Sequence, residues 1–515
     1  MTDEVQRDLD HSRPLDVHRW SDHPAVGDWV YRFWDEHLAA RFPKQTRGRQ
    51  QATEDKYQFK VLLLDLYVAW REDPTLLIGV GKTNSAYSAG SRYNALHISA
   101  RMIQLVDAMV ELGFLNQDLG KEITGRTTRI WPTARLIAEF EHLEFGDLYI
   151  GHYEGRECIV LNDKRSEDDE DAKPIPYEDT DHPSIRASEH PSIVPNREAL
   201  TEYNRFLSTL FIDVATLEVP KLVTTKRNKK GQEVRHVVRT TQDNKFVRRI
   251  FYRGSWELGG RFHGGFWQQL PKSYREHIRI NDQPTVEVDY SGLHPALAYA
   301  LQGATPPADP YTLDLNALNL PPELQRTLVK RLVLDAINAK DRKSAFKALR
   351  DYANSTGLTG AFKELDVPVT LTDTLLDDIL FAFEEANPAI QGYIGSDSGV
   401  ELMAVDGRIT DRLIRSFTER AKPILTVHDS YIVLYEDERL LKDEMIKAAE
   451  AETGSTSFRM TVESLSPAQV NALRDPLDPK RLYDGYTALA NKTTPADGYL
   501  KRWDRYKRWS DSRYL

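Results

Sequence analysis

Apolar and polar residues recur with different periods along this chain, and each change of period marks an element. From Lys56 to Arg71 the apolar residues follow helical spacing. Between His97 and Leu112, Ile98, Met102, Leu105, Met109 and Leu112 share one helical stripe, and Gly113 supplies a stop. Phe114-Leu115 and Ile130-Trp131 then bracket a polar tip, Gly120 to Arg129, and predict a short hairpin. Pro132 is expected to open a further helix to about Phe145. Residues 14–48 mix Trp with Arg and Lys and read as helix and loop. The period becomes two over Pro284 to Asp289, a strand that delivers Asp289 at its end, and Gly292 and Pro295 turn the chain into Ala296–Leu301. Residues 323–340 predict a helix on which Arg326, Lys330, Leu334 and Asn338 recur every four residues and so share a face. From Ile424 to Tyr435 two apolar runs flank His428-Asp429, which predicts a hairpin with both residues at its turn.

Length and composition narrow the class. The 515 residues imply two to four domains. A chain 40% hydrophobic and 28% charged suits a soluble globular protein. No apolar run reaches the ~20 residues of a membrane helix, and Met1-Thr-Asp-Glu lacks the basic and apolar regions of a signal peptide. The expectation is a cytoplasmic protein with no membrane partner. A single cysteine, Cys158, excludes an internal disulfide and argues against a cysteine zinc site.

Net charge is −10, which by itself disfavours nucleic acid as a partner, but the charge is unevenly spread. Much of the acid lies between Glu167 and Asp181, within a segment, 160–197, rich in Asp, Glu, Pro and Ser that reads as a linker. Residues 226–253 carry ten Lys or Arg against Glu233 and Asp243, and Lys229 to Gln232 predicts the tip of a basic hairpin suited to a phosphate backbone. Tyr499 to Leu515 interleaves Lys and Arg with Trp and Tyr, a mix that either contacts nucleic acid or packs on the body of the protein. Helix, basic two-strand tip and helix between His97 and Phe145 resemble a winged helix-turn-helix. That resemblance implies DNA contacts from Arg101, Lys121, Arg126 and Arg129; the other reading is an ordinary helical subdomain with a hairpin.

Three segments carry candidate chemistry. A carboxylate at a strand end is rigidly aimed and close to solvent, where a metal ligand belongs, and Asp289 meets that description. Asp429 at a hairpin turn is a second such carboxylate, although a lone turn Asp is ordinarily just solvated. The face of Arg326, Lys330 and Leu334 could grip a triphosphate, with the cations on phosphates and Leu334 against a base; a solvated surface helix is the other reading.

Together the segments resemble the palm and fingers motifs of the family A DNA polymerases and the bacteriophage single-subunit RNA polymerases. The first is Asp289-Tyr290-Ser291-Gly292-Leu293-His294, the second Arg326, Lys330, Leu334 and Asn338-Ala339, the third Val427-His428-Asp429-Ser430. Trp267-Gln268-Gln269-Leu270-Pro271 is similar to a segment of the DNA enzymes, and Gly260-Arg261-Phe262 to an element of the RNA enzymes. Each motif is weak alone; their order over about 140 residues, in strand, helix and hairpin contexts, is specific.

The resemblance covers roughly residues 245–470 and implies an α+β right-hand polymerase fold, with an antiparallel palm sheet and helical fingers and thumb. The expected divisions are a mainly helical winged-helix-like domain (1–150), a linker (151–197), a thumb and palm approach with the basic hairpin (198–288), the palm and fingers core (289–470) and a basic aromatic tail (471–515). Asp289, Asp429 and the Tyr290 carbonyl would hold two Mg²⁺, with Mn²⁺ as the alternative ion. Arg326, Lys330, Leu334, Asn338 and His294 would meet the nucleotide, and Lys330 would also protonate pyrophosphate. His428, Arg261, Gln268, Gln269, Arg248 and Arg249 would meet primer or template.

Partners would be a DNA template and primer, nucleoside triphosphates and replication proteins. Asn338 stands where these families have Tyr, Ala339 where they have Gly, and His294 where the DNA enzymes have Glu, so sugar selectivity is open. No exonuclease domain is evident. The leading expectation is a DNA polymerase able to prime. The alternatives are a single-subunit RNA polymerase or primase, a non-catalytic DNA-binding protein with a decayed palm, and, least of all, a His-Asp phosphohydrolase.

Overall fold

Residues so apolar that every side of their helix must be covered form the middle of the N-terminal core. In the computed structural model, which describes residues 7–42, 48–87, 89–120, 127–162, 193–227, 233–313, 315, 322–356, 358, 369–463 and 493–512, this helix runs from Gly48 to Glu72. Phe59, Val61, Leu62, Leu63, Leu64, Leu66 and Tyr67 along it are all buried, as expected of a helix surrounded by its own domain. The fold is mixed α and β and divides into two compact units: Met1–Glu157 with Arg505–Leu515, and Cys158–Asp504.

In the first unit the order is β1 (Ser12–Pro14), β2 (Arg19–Trp20), α1 (Pro24–Phe33), α2 (Gly48–Glu72), β3 (Leu77–Val80), α3 (Arg101–Glu111), β4 (Leu115–Asp118), β5 (Thr128–Pro132), α4 (Ala134–Glu141) and β6 (Gly151–His152). One sheet has the order β1-β3-β5-β4, and β5 lies antiparallel to both β3 and β4. Pro132 closes β5 opposite Leu115 instead of opening a helix. Helix α4 begins after Thr133, whose N–H donates to the Phe114 carbonyl at 2.9 Å and ties the helix start to the hairpin. Beneath the sheet a buried charge cluster joins three elements. Asp65 of α2 accepts two bonds of 2.7 Å from Arg13 and one of 3.1 Å from Arg19 Nε. Its Oδ2 also accepts the Asp16 N–H at 3.0 Å.

The second unit opens with β7 (Ile159–Leu161), a buried strand parallel to β11 (Val247–Phe251). The linker expectation therefore fails at its ends, because Ile159-Val-Leu161 is apolar enough to join a sheet and α5 (Ile193–Ser208) starts a packed helix. Next come β8 (Ile212–Val214), the ribbon β9 (Lys221–Arg227) and β10 (Glu233–Arg239), β11, β12 (Gly259–Gly264), α6 (Lys272–Arg275), β13 (Ile278–Ile280) and β14 (Gln283–Tyr290). Helices α7 (Leu293–Leu301), α8 (Pro322–Asn338), α9 (Arg342–Thr356), α10 (Asp373–Ala386) and α11 (Gly399–Glu419) follow, then β15 (Ile424–Val427), β16 (Ser430–Leu434), α12 (Glu438–Thr453), β17 (Met460–Glu463) and α13 (Asp497–Ser512), whose residues from Arg505 on belong to the first unit. The principal sheet runs β15-β16-β14-β13-β8, and β17 also pairs with β14.

Lys245 is buried between α5 and this sheet. Its Nζ donates to the Leu210 carbonyl at 2.6 Å and to Gln242 Oε1 at 3.3 Å. Burial outweighs the nearby Asp243 and pulls the ammonium down to about 7. The folded value lies below that of the unfolded chain, about 10.4, so between those pH values the unfolded chain binds the extra proton and stability rises with pH. The expected result is that wild-type unfolding free energy climbs about 2 kcal/mol more between pH 7 and pH 9 than that of Lys245→Met. Urea titrations of both proteins at the two pH values read this difference.

Candidate active site

The centre of the second unit is set by the pleat of β14. Val286, Val288 and Tyr290 point to one face, and Tyr290 Oη donates to the Met445 carbonyl of α12 at 2.5 Å. Thr285, Glu287 and Asp289 point to the other face. Asp289 lies directly opposite Ser430 of β16 on one side and Thr461 of β17 on the other. The β15–β16 hairpin closes with Val427 paired to Ser430, which leaves His428 and Asp429 as a two-residue turn. The Tyr290 N–H donates to the Asp429 carbonyl at 3.2 Å. Asp289 and Asp429 thus leave adjacent strands at the same end of the sheet.

The turn is braced and strained. Ser430 Oγ donates to Glu287 Oε1 at 2.6 Å, and Arg275 holds Glu287 by two bonds of 2.8 and 2.9 Å. His428 takes φ +56°, left-handed backbone that costs a non-glycine residue on the order of 1 kcal/mol. Its ring is exposed, 6.0 Å from that of His263 on β12. On the other side, Gly292 at φ +64° lets the chain reverse from β14 into α7.

A cleft of about 430 Å³ opens beside Asp289. Arg326 and Lys330 of α8 line it, both exposed, together with Arg459, Ser291, Asp309 and Tyr311. Arg326 Nε donates to Asp309 Oδ2 at 2.6 Å, and its guanidinium lies 5.7 Å over the Tyr311 ring. Partial burial raises the Asp309 carboxyl, but bonds from Arg326 and the Tyr311 N–H outweigh it and hold the group below its usual range. Burial first, then Asp309 and Asp429, push the Tyr311 hydroxyl up, so it stays protonated. Asp309, Tyr311 and Arg459 were missed by the sequence reading. They sit in loops with no period, and the one available signal was the stiff Pro306-Pro307-Ala308-Asp309-Pro310 run.

The remaining expected site residues separate into groups. His294 is buried and absent from the cleft wall; its Nε2 accepts from the Arg261 guanidinium at 2.9 Å. Burial and then Arg261 push the imidazole down to about 3, which keeps it neutral. Arg261 is also held by Asp406 at 2.6 Å, because Gly407 lets α11 approach the Gly260 backbone where a Cβ would lie 2.3 Å from the carbonyl. Arg261 is therefore a brace between β12, α7 and α11 and not an open primer contact.

Two further expectations are corrected on similar grounds. Gln268 donates to the Phe262 and Thr426 carbonyls at 3.0 and 2.9 Å and accepts the Gly264 N–H, so its amide is committed internally. Arg249 is buried, donates to the Gly260 carbonyl at 2.9 Å and lies 3.4 Å from Asp411. Gln269 is exposed on a short turn, and Arg248 is half-buried over Phe246. Leu334 is half-buried outside the cleft wall, and Asn338 Nδ2 donates back to the Leu334 carbonyl at 2.8 Å.

In the first unit, Arg101 is bound by both Asp55 oxygens at 2.8 and 3.0 Å and stacks on Phe42, which removes it as a ready DNA contact. Arg129 donates to the Thr127 and Leu9 carbonyls at 2.8 and 3.3 Å. Lys121 and Arg126 lie outside the described residues. Among the described residues, no helix is long and apolar enough to cross a membrane. In comparisons with known proteins, no protein-family model matches this chain and no curated protein matches it.

Proposed function

We propose that this chain is a template-directed nucleotidyltransferase, a DNA polymerase of the right-hand type resembling family A, without an exonuclease and able to prime. One observation carries the reading. Asp289 lines a cleft together with Arg326, Lys330 and Arg459, and Asp429, in the turn of the neighbouring hairpin, lies at the same end of the sheet. Paired carboxylates next to convergent cations suit a nucleoside triphosphate, whose phosphates need both metal and guanidinium or ammonium partners.

The donor set fits Mg²⁺, which prefers carboxylate and carbonyl oxygens and keeps waters. Asp289, Asp429 and the Tyr290 carbonyl would hold the ions. Among the described residues no group of three or more His, Cys, Asp or Glu gathers as a metal cluster, so the substrate phosphates and water would complete the shells. Bound there, Mg²⁺ supplies Lewis-acid stabilisation of the attacking and leaving oxygens.

The protein's own residues do the rest. Arg326, preset by Asp309, and Lys330 offset charge on the β- and γ-phosphates as a preorganised term. Lys330 then gives a proton to the departing pyrophosphate. The Arg275–Glu287–Ser430 chain keeps the turn from shifting, and His428 seats the primer end.

In the first unit, the order α2, β3, α3, β4, β5, with β5 between β3 and β4, supports a winged-helix-like reading, and we take this unit to be a DNA-recruiting domain. One observation favours ribonucleotides as well. The neutral, buried His294 is engaged by Arg261, so no carboxylate at that position excludes a 2′-hydroxyl. Labelled dNTPs and NTPs with Mg²⁺ on single-stranded DNA, with and without primer, test the reading. Template-dependent incorporation is expected, with dNTPs preferred and NTPs used at a measurable rate. No incorporation of either, under conditions where the protein binds template, would end it.

A further inference from the structure

Tyr311 carries a hydroxyl that the protein itself leaves unused. The residue is 2% exposed, and its Oη is buried with no hydrogen-bond partner among the described residues. A desolvated hydroxyl left unpaired is costly, so a ligand that accepts from it recovers that cost. Tyr311 lines the cleft beside Asp289, and so does Gly292, which lacks the side chain that would cover the hydroxyl: a Cβ at 292 would lie 3.7 Å from Oη.

The loop that carries Tyr311 is fixed on several sides. Asp309 Oδ1 accepts the Tyr311 N–H at 3.1 Å, Asn387 Nδ2 donates to the Pro310 carbonyl at 3.3 Å, and the Arg459 guanidinium donates to the Ala308 carbonyl. The hydroxyl is therefore aimed before any ligand arrives.

Its surroundings select an oxyanion as the acceptor. Burial and then Asp309 hold the proton on the phenol, so it offers a donor. Helix α7 begins beside it: the N-cap Gly292 supplies no side-chain cap, and Ser291, Gly292 and Ala296 bring this positive end of the helix dipole to the cleft wall. Arg326, Lys330 and Arg459 stand on the same wall, and the Asp309 carboxylate there is held by Arg326. A sugar hydroxyl could accept from Tyr311, but it would leave the helix end and the cations nothing to neutralise.

We infer that Tyr311 Oη and the N-terminus of α7 form a phosphate subsite of the cleft, in which the phenol donates to a non-bridging oxygen of the triphosphate. The inference rests on the nucleotidyltransferase reading for the identity of the triphosphate, and on the cleft itself for the oxyanion.

The test is Tyr311→Phe in the full chain, which keeps the ring beneath Arg326 and removes one oxygen. Isothermal titration calorimetry measures binding of inorganic tripolyphosphate and of dTTP, each with Mg²⁺, and incorporation is assayed on the same preparations. Both should bind about tenfold more weakly to the variant, the usual worth of a hydrogen bond to a charged acceptor. The dTTP KM should rise about tenfold, against less than threefold in kcat. Because no internal bond is lost, the thermal midpoint should stay level or rise. A midpoint several degrees lower would mean that the hydroxyl is spent inside the protein, and overturns the inference. Tripolyphosphate bound equally well by both proteins, or by neither, also overturns it. In the equal case, dTTP weakened alone would show the phenol reading the nucleoside, and dTTP unchanged would show a water satisfying it. Incorporation by the wild type then leaves the polymerase reading standing. A tenfold loss of tripolyphosphate binding, with no incorporation by the wild type on any template, would end the polymerase reading and keep the subsite.

Discussion

Asp289→Asn and Asp429→Asn proteins are expected to lose nucleotide incorporation by about 10³-fold or more while still binding primer–template. The substitution keeps the size of the side chain and the antiparallel pairing of Asp289 with Ser430 and Thr461. It removes the negative oxygen that a hard cation needs. Several kcal/mol of transition-state stabilisation depend on such an ion, and each 1.36 kcal/mol is worth tenfold in rate. Both residues are half-buried at one end of the sheet, so neither change should shift the thermal midpoint by more than a few degrees. Single-turnover extension of a labelled primer, with anisotropy on the same duplex, separates chemistry from binding. Either variant working at the wild-type rate would remove the catalytic assignment.

The second large effect is on stability. Asp65→Asn leaves Arg13 and Arg19, 8% and 1% exposed, without their buried counter-charge. Removing one partner of a buried ion pair typically costs about 3–5 kcal/mol, a large share of the 5–15 kcal/mol that holds a domain together. Because Asp65 also accepts the Asp16 N–H, the loss reaches the backbone between β1 and β2. Trp29 and Trp34 lie in the same core, so their fluorescence in urea should report an early transition of the first unit. The contrasting change is Asp35→Asn, whose carboxylate is 63% exposed beside Lys56; it should stay within about 0.5 kcal/mol of wild type. Equal effects at the two positions would mean that the buried cluster is not a keystone of this unit.

Strong periodicity made much of this fold legible. The stripe from Ile98 to Met109 became α3 because its apolar residues could only be covered on one side, although the helix starts at Arg101 and not His97. The strand ending at Asp289, the helix bearing Arg326 and Lys330 and the turn at His428-Asp429 all lie where period and polarity put them. Pro132 and Ile159–Leu161 depart from expectation for different reasons. Pro132 ends the second arm of the hairpin, opposite Leu115, where a proline at a strand end reads like one at a helix start, while Ile159–Leu161 joins a sheet only through β11, a partner distant in sequence.

The amino-acid sequence by itself determined the local inventory: which residues alternate, which stripe a helix, and that two carboxylates and a row of cations recur in a particular order. Those properties follow from backbone period and side-chain polarity, which act over a few residues. Only the tertiary structure decided which polar groups are spent on the protein itself. Burial gave Arg249, Arg261, Gln268 and His294 internal partners, since a desolvated polar group must be satisfied where it lies. Packing likewise brought Asp309 and Tyr311 from one loop and Arg459 from another to the wall beside Asp289. Such meetings are set by how strands pair and helices pack across hundreds of residues, and no local pattern encodes them.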